Sequence, residues 1–426
     1  MEKNKQSLYR KIIRPILVMV YYRIRPMVYM GYYRFHFIGW MVNYFRDTLL
    51  HRKNMKAIGE LKKLINQAKN NGIPVFVQFP VVPWGIKLFQ RPQQLAIAMN
   101  RNGYLVIYIE PGYHSKGEIT RIESNLYLTD QREILPYLSG AIVSVYCNYP
   151  LHGFDKYLTD DFFANNSVFY EYVDHFNEQI IAAAHAEAVK NRFQNIKNQQ
   201  ICFMLATAQS LYEELQHNFP NKRILYLPNA VDVDHYIGSS KLPARDIKLP
   251  ATLQNAIKEK KKIIGYFGAI APWIWDELIL ELAENRPEYC LLLIGPLYGD
   301  RDNISKRENI ISTGAVDYKD LPLYANYFDV SIIPFRLGEI ARSTSPLKLF
   351  EYFAIGKPVI VTSDLVECIK FDGVFSASTP QEFIKKIDEA IKHSNDLELK
   401  QKYQRYAEEN SWTMRAKELH QLLIKK

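Results

Sequence analysis

Lys348 and Glu351 stand three residues apart in the stretch Ser343-Thr-Ser-Pro-Leu-Lys-Leu-Phe-Glu-Tyr-Phe-Ala-Ile-Gly-Lys-Pro-Val-Ile-Val361. On a helix that spacing places an ammonium and a carboxylate on one face. Ser345 is a suitable N-cap, Pro346 suits the first helical position, and Gly356 suits the stop. The free N–H groups and positive dipole end of such a helix favour a phosphate. Lys348 in the first turn opposes the dipole unless an anion is held there as well. A carboxylate one turn further on can accept two hydrogen bonds from a ribose diol. Phosphate, lysine and diol together describe a nucleoside diphosphate. The alternative is an ordinary amphipathic helix with Lys and Glu on its surface.

Two further groups could do chemistry. Glu171, Asp174 and His175 close the apolar run Ser167 to Val173, where an acid or an imidazole would steady sugar hydroxyls or take a proton. The alternative there is a loop carboxylate and a solvated histidine. Trp84 to Arg91 precedes a helix that begins near Pro92. Arg91 would either clamp an acceptor phosphate through bidentate bonds or salt-bridge across a cleft.

The elements that must position these residues are short apolar runs alternating with helical patterns, twice over. The first series has strands at 73–79, 104–110, 142–146, 167–173, 201–207 and 224–227, with helices at 93–102, 177–195 and 210–216. Residues 233–260 lose strand character. A second series then has strands at 262–268, 289–295, 310–314, 330–334 and 358–361, with helices at 274–284, 321–328, 380–393 and 409–425. The pattern predicts an α/β protein of two doubly wound Rossmann-like domains, which bind ligands at the carboxyl ends of their strands. The expected division is 1–72 as a helical extension, 73–250, 251–408, and 409–426 as a helix that crosses back.

A chain of 426 residues that is 48% hydrophobic and 23% charged fits two globular cores plus an extension. The net charge of +9 is unevenly spread. Residues 1–70 hold 15 Lys and Arg against three acids, and the rest holds 39 against 42. In residues 1–50, aromatic apolar runs are interrupted by single arginines, and none reaches the ~18–20 residues that span a bilayer. The pattern fits amphipathic helices lying on an anionic membrane surface. The alternatives are packing on the protein's own body and nucleic acid, for which no recognition motif is present. Nothing reads as a secretory cleavage site. Cys147, Cys202, Cys290 and Cys368 are too scattered for a metal site and read as reduced thiols.

Asn229-Ala-Val-Asp232, Gly265-Tyr-Phe-Gly268, Leu293-Ile-Gly-Pro296 and Ser345 to Val359 occur in an order and at spacings that resemble the GT-B glycosyltransferases of glycosyltransferase family 4 (group 1). The resemblance covers roughly 200–425, is weaker over 73–200 and leaves out 1–70. Gln90 to Leu95 and Glu110-Pro111 are similar to segments of members that build teichuronic acid, capsule and exopolysaccharide. The resemblance implies a retaining transfer from a nucleotide sugar, UDP or GDP based, with no metal or other cofactor. The acceptor would be a surface glycan or polyprenyl-linked glycolipid, met at the cytoplasmic face of a bacterial membrane. Donor contacts would come from Gly268, Gly295, Val316, Ser345, Leu347, Lys348 and Glu351. Asp174 and His175 are the expected catalytic groups, and Trp84, Arg91 and Glu171 the acceptor contacts. Two departures stand out. Ser343 occupies a position where many members have a donor-sugar glutamate, which leaves Glu339 as a substitute. The turn Gly268 to Glu277 lacks the family's phosphate-binding Arg and Lys, which leaves Arg342 beside Lys348. These departures keep open a non-catalytic subunit of a polysaccharide-assembly complex, and a GT-B epimerase fits the 345–359 motif poorly.

Overall fold

Apolar runs of four or five residues, buried on both faces, form most of the strands, as parallel sheets covered by helices require. The computed structural model describes residues 49–112, 116–147, 149, 151, 153–175, 183–239 and 249–424. In the N-terminal sheet the strands are β1 (Val75–Gln78), β2 (Leu105–Ile109), β3 (Ile119–Glu123), β4 (Leu126–Thr129), β5 (Ile142–Tyr146), β6 (Ser167–Tyr172), β7 (Phe203–Ala206) and β8 (Ile224–Tyr226). Their spatial order is β3-β4-β2-β1-β5-β6-β7-β8. All neighbours run parallel except β3 and β4. That edge pair is invisible in the hydrophobic pattern, because β3 carries Arg121 and Glu123 and is largely exposed.

The C-terminal sheet contains β9 (Ile263–Phe267), β10 (Cys290–Ile294), β11 (Ile310–Gly314), β12 (Val330–Ile333), β13 (Val359–Thr362) and β14 (Phe375–Ala377). It is wholly parallel in the order β11-β10-β9-β12-β13-β14. Two doubly wound domains are therefore present, as the alternation predicts.

Packing revises the expected division at two points. Residues 49–70 are helical, and Ile58, Leu61, Ile65 and Ala68 sit in the same core as Val75, Ile107 and Val143. This helix is part of the N-terminal domain and not of an extension ending at 72. Residues 1–48, and the membrane reading placed on them, lie outside the described residues. At the other boundary, Val231, Tyr236, Leu253 and Ala256 belong to the C-terminal core. The change of core falls near 230 and not at 250, because the helix Val233–Ser239 is too short and polar to announce itself. The last helix, Trp412–Ile424, packs on Arg91–Arg101, with Trp412 and Leu419 in a cluster with Phe76 and Leu95. The C-terminal segment thus lies on the N-terminal domain.

Leu61 is fully buried. Leu61→Ala is expected to lower the unfolding free energy of the full-length protein by about 2–4 kcal/mol in a denaturant titration. An unchanged midpoint would mean that this helix is dispensable to the core.

Candidate active site

Each sheet reverses its winding between two adjacent strands, β1 and β5 in the first and β9 and β12 in the second. Crevices at the carboxyl ends of such strands are where open α/β sheets bind ligands. The segments following these four strands face one another across a cavity of about 280 Å³. Arg91 and Tyr146 line it from the N-terminal side, and Gly268 and Phe335 from the C-terminal side.

On the C-terminal wall two glycine turns touch backbone to backbone. A Cβ on Gly295 would lie 1.9 Å from the Gly268 carbonyl oxygen, and both residues have positive φ (150° and 130°). No side chain fits either place. The Lys348 side chain lies over this turn, its Nζ 3.5 Å from where a Gly268 Cβ would be. Lys348 sits over the rings of Tyr266 and Phe335. Among the described residues it makes no ion pair, and burial lowers its pKa. The helix above it, Leu347–Ile355, begins one residue later than its capping residues suggest. Pro346 takes the N-cap position, and no side chain caps it. Ser345 is held extended by the following proline. Its hydroxyl instead accepts the backbone N–H of Asn229 at 3.2 Å. An uncapped helix N-terminus with a desolvated, unpaired ammonium in its first turn is complementary to an anion. Glu351, one turn on, is buried, and burial pushes its carboxyl up to about 7. Tyr236 from the short helix Val233–Ser239 stands beside it. Val316, Ser345 and Leu347 line the same cavity, and Gly356 ends the helix in the left-handed conformation at φ 66°.

The N-terminal wall differs more from expectation. Asp174 lines the cavity and accepts the Tyr149 hydroxyl at 2.8 Å, and burial raises its pKa. His175 does not line the cavity. Its Nδ1 lies 3.0 Å from Glu214 and its Nε2 3.1 Å from Glu339, so it joins the two domains beside the site. Glu339 is thereby committed to His175 and lies outside the cavity lining. Arg342, 61% exposed, pairs with Asp364 at 2.9 Å and is also outside it. Glu171 has no exposed surface. It binds Arg91 Nε at 2.6 Å and accepts the Ser144 hydroxyl, so it is unavailable to an acceptor. Arg91 lines the cavity, but its Nη1 is taken by the Pro228 carbonyl and Asn229 Oδ1. A bidentate clamp on a phosphate is therefore excluded. Trp84 is spent on packing, edge-on to Phe89 and Tyr108, with its backbone N–H on the Glu110 carboxylate.

Some lining residues come from outside the expected set. Phe89 stacks on Tyr318 at 4.8 Å across the cleft, and Gln94 donates to the Tyr318 hydroxyl at 2.7 Å. Asn229 joins Arg91 to the helix Leu347–Ile355, since its Nδ2 donates to the Ser345 carbonyl at 2.6 Å. Asn229 was visible as the head of Asn229-Ala-Val-Asp232. Nothing in the sequence pairs Phe89 with Tyr318.

With a carboxylate against each ring nitrogen, both nitrogens of His175 must donate, so the ring is an imidazolium in this arrangement. The hydrogen bond to Glu214 leads in raising its pKa, with smaller help from the charge of Glu339. The stabilisation is full below the unfolded value near 6.5 and is lost as pH rises through the folded value. The melting-temperature gap between wild type and His175→Gln is therefore expected to be widest at pH 6 and to close by pH 9. A gap independent of pH would mean that the ring acts by packing alone.

A family model described as glycosyl transferases group 1 matches residues 261–393, the sheet and helices that carry Gly268, Lys348 and Glu351. A Bacillus subtilis (strain 168) protein described as a teichuronic acid biosynthesis glycosyltransferase is 29% identical over 146 residues. That match takes in about a third of each chain, 33% of this one and 35% of that one. Among solved structures, the sucrose-phosphate synthase of Thermosynechococcus elongatus superposes with a TM-score of 0.61 at 14% identity, over 83% of this chain and 98% of that one. An E. coli trehalose-6-phosphate protein bound with UDP-2-fluoro glucose gives 0.62 at 10%, over 83% and 99%. At such identities the structures share the fold. The chain has the two-domain GT-B fold, and its residues 261–393 match the family model of the group 1 glycosyl transferases.

Proposed function

We propose that the chain transfers a sugar from a nucleoside-diphosphate sugar, UDP or GDP based, to a hydroxyl of a glycan or lipid-linked glycan acceptor. The observation that carries this reading is Lys348, unpaired among the described residues, lying over the Gly268 and Gly295 turns at a helix N-terminus. That arrangement would stabilise the negative charge of a diphosphate. Glu351 is one turn away, where it would accept hydrogen bonds from the ribose hydroxyls, and Val316, an expected donor contact, lines the same cavity. The E. coli structure bound with UDP-2-fluoro glucose supports a nucleotide-sugar ligand for this fold.

The reaction breaks the bond between the sugar's anomeric carbon and the diphosphate oxygen, and forms one from that carbon to the acceptor oxygen. Charge grows on the leaving diphosphate, and Lys348 with the helix N–H groups stabilises it there. Transfer with retention, in which the leaving phosphate accepts the acceptor's proton on the same face, rests on the family resemblance. Asp174, which lines the cavity, is assigned to orient the acceptor hydroxyl. A cell-envelope polysaccharide as destination rests on the likeness to the teichuronic acid protein. Among the described residues no helix is long and apolar enough to cross a membrane. The basic, aromatic residues 1–48 are assigned to an anionic membrane surface on the cytoplasmic side. One observation favours a non-catalytic subunit instead. Arg342 is paired with Asp364, which leaves Lys348 without a second cation of the expected set at the diphosphate.

Calorimetric titration with UDP, GDP, ADP and dTDP, without added metal, tests the donor site, and micromolar binding of one base is expected. Binding of none would favour the non-catalytic subunit. Glu351→Ala is expected to weaken the bound nucleotide by about 1.5–3 kcal/mol, as loss of hydrogen bonds to a charged group does.

The raised pKa of Glu351 gives a second test of the same site. Hydrogen bonds from a ribose diol favour the ionised carboxylate, so binding lowers its pKa from about 7. Affinity for UDP-glucose or GDP-mannose, whose diphosphates do not titrate near neutrality, should rise between pH 6 and 8 and level off above. The slope is at most about tenfold per pH unit. A flat profile would remove Glu351 from the diol.

Deleting residues 1–48 should abolish sedimentation with phosphatidylglycerol vesicles while leaving nucleotide affinity intact. Retained sedimentation would place membrane contact elsewhere.

A further inference from the structure

Two polar groups on the N-terminal wall have no hydrogen-bond partner among the described residues, the Tyr146 hydroxyl and Nη2 of Arg91. Both side chains are about 2% exposed, and both line the cavity. The sheet makes them neighbours. Tyr146 at the end of β5 is in register with Glu171 on β6, and Glu171 holds Arg91 by its Nε. The rest of the guanidinium is committed to Pro228 and Asn229, so only Nη2 remains. A buried donor left unpaired is costly. Two such donors in one wall of a cleft describe a binding subsite more than a packing defect.

What they offer defines what they take. An N–H and an O–H call for an acceptor oxygen, and local charge decides its kind. The Arg91 cation is already cancelled by Glu171 at 2.6 Å. On the same side of the cavity the Asp174 carboxyl accepts the Tyr149 hydroxyl, and Lys87, also on the lining, is paired with Asp317. A phosphate or carboxylate would add like charge beside Asp174 in a poorly solvated place. A neutral hydroxyl oxygen would not. Tyr146 and Tyr149 meet edge to face at 5.7 Å and both line the cavity, which supplies the apolar surface a sugar ring needs around a few oriented polar groups.

We propose that Tyr146 and the Nη2 edge of Arg91 form an acceptor subsite that takes a hydroxyl oxygen of a neutral sugar residue and discriminates against an anionic one. This deepens the glycosyltransferase reading and rests on it. The anionic part of a lipid-linked acceptor would then lie away from this wall.

The test uses the full-length protein saturated with whichever nucleotide binds. Saturation-transfer NMR is run with methyl glycosides of glucose, galactose, mannose and N-acetylglucosamine, and with methyl glucuronide and glucose 6-phosphate. At least one neutral glycoside is expected to bind, with the two anionic sugars about tenfold weaker or absent. Tyr146→Phe is expected to weaken the neutral glycoside by about 5–10-fold, while nucleotide affinity stays unchanged. Its melting temperature should hold or rise, because the deleted hydroxyl had no partner to lose. A structural tyrosine would show the opposite pair of effects. Preference for glucuronide or the sugar phosphate, absence of neutral-glycoside binding while nucleotide still binds, or wild-type binding by Tyr146→Phe would overturn the subsite. Failure of every nucleotide to bind would overturn the donor reading beneath it, and the same titration series separates that result from the others.

Discussion

A guanidinium cut off from water sits at the joint between the two domains. Arg91 opens the helix after β1, pairs with Glu171 at the end of β6, and reaches Pro228 and Asn229 where the chain leaves the N-terminal domain. Asn229 passes the connection to Ser345, just ahead of the helix that carries Lys348 and Glu351. A buried ion pair of this kind is weak evidence for stability, since desolvation offsets much of its attraction. Its worth lies in geometry. The bonds from Nε and Nη1 tie the helix start, the strand end and the hinge together, so they have little freedom to shift separately. Arg415 from the last helix binds the same Pro228 carbonyl, and Trp412 lies against the Arg91 guanidinium, so the returning C-terminal segment closes the joint from behind.

From that joint the cleft follows almost by topology. Parallel sheets wound in both directions leave crevices at their switch points, and two facing crevices enclose one cavity. The walls are electrostatically unlike. The C-terminal wall presents a helix N-terminus, glycine backbone and an unpaired lysine. The N-terminal wall presents tyrosines, an acid, a neutralised arginine and Lys87, which is paired with Asp317. An anion is favoured on the first wall and not on the second, and this asymmetry orients a donor and an acceptor without any shared charged residue.

Further contacts beside the cleft join the two domains. Phe89 stacks on Tyr318, Gln94 donates to the Tyr318 hydroxyl, and His175 bridges to Glu339. Glu367 accepts the Gln209 backbone N–H and the Tyr226 hydroxyl. All cross between the domains and most are partly exposed, so each contributes little alone. Interdomain contacts of this small, partly exposed kind resemble those of transient interfaces.

The sequence by itself determined the two α/β domains, most strand positions and the donor helix, because period, apolar runs and a Ser-Pro…Gly frame are local signals. Lys348 and Glu351 were legible for the same reason, since three residues on one helix fix their relation without any tertiary knowledge. The edge hairpin β3–β4 and the helix Leu397–Glu409 were not, because their exposed polar faces leave no apolar period. Nor could the sequence show that Glu171, Arg342, Trp84 and His175 would be consumed by partners. Glu171 lies 80 residues from Arg91, Arg342 lies 22 from Asp364, and His175 lies 164 from Glu339. A charged side chain near a strand end reads the same whether it faces a substrate or a buried counter-ion. Only the tertiary structure decides which, because burial and pairing depend on what the rest of the chain brings to that place. Tyr146 and Tyr318 make the same point in reverse. As residue types they are unremarked aromatics, and they became site residues only when two sheets placed them on facing walls of one cavity.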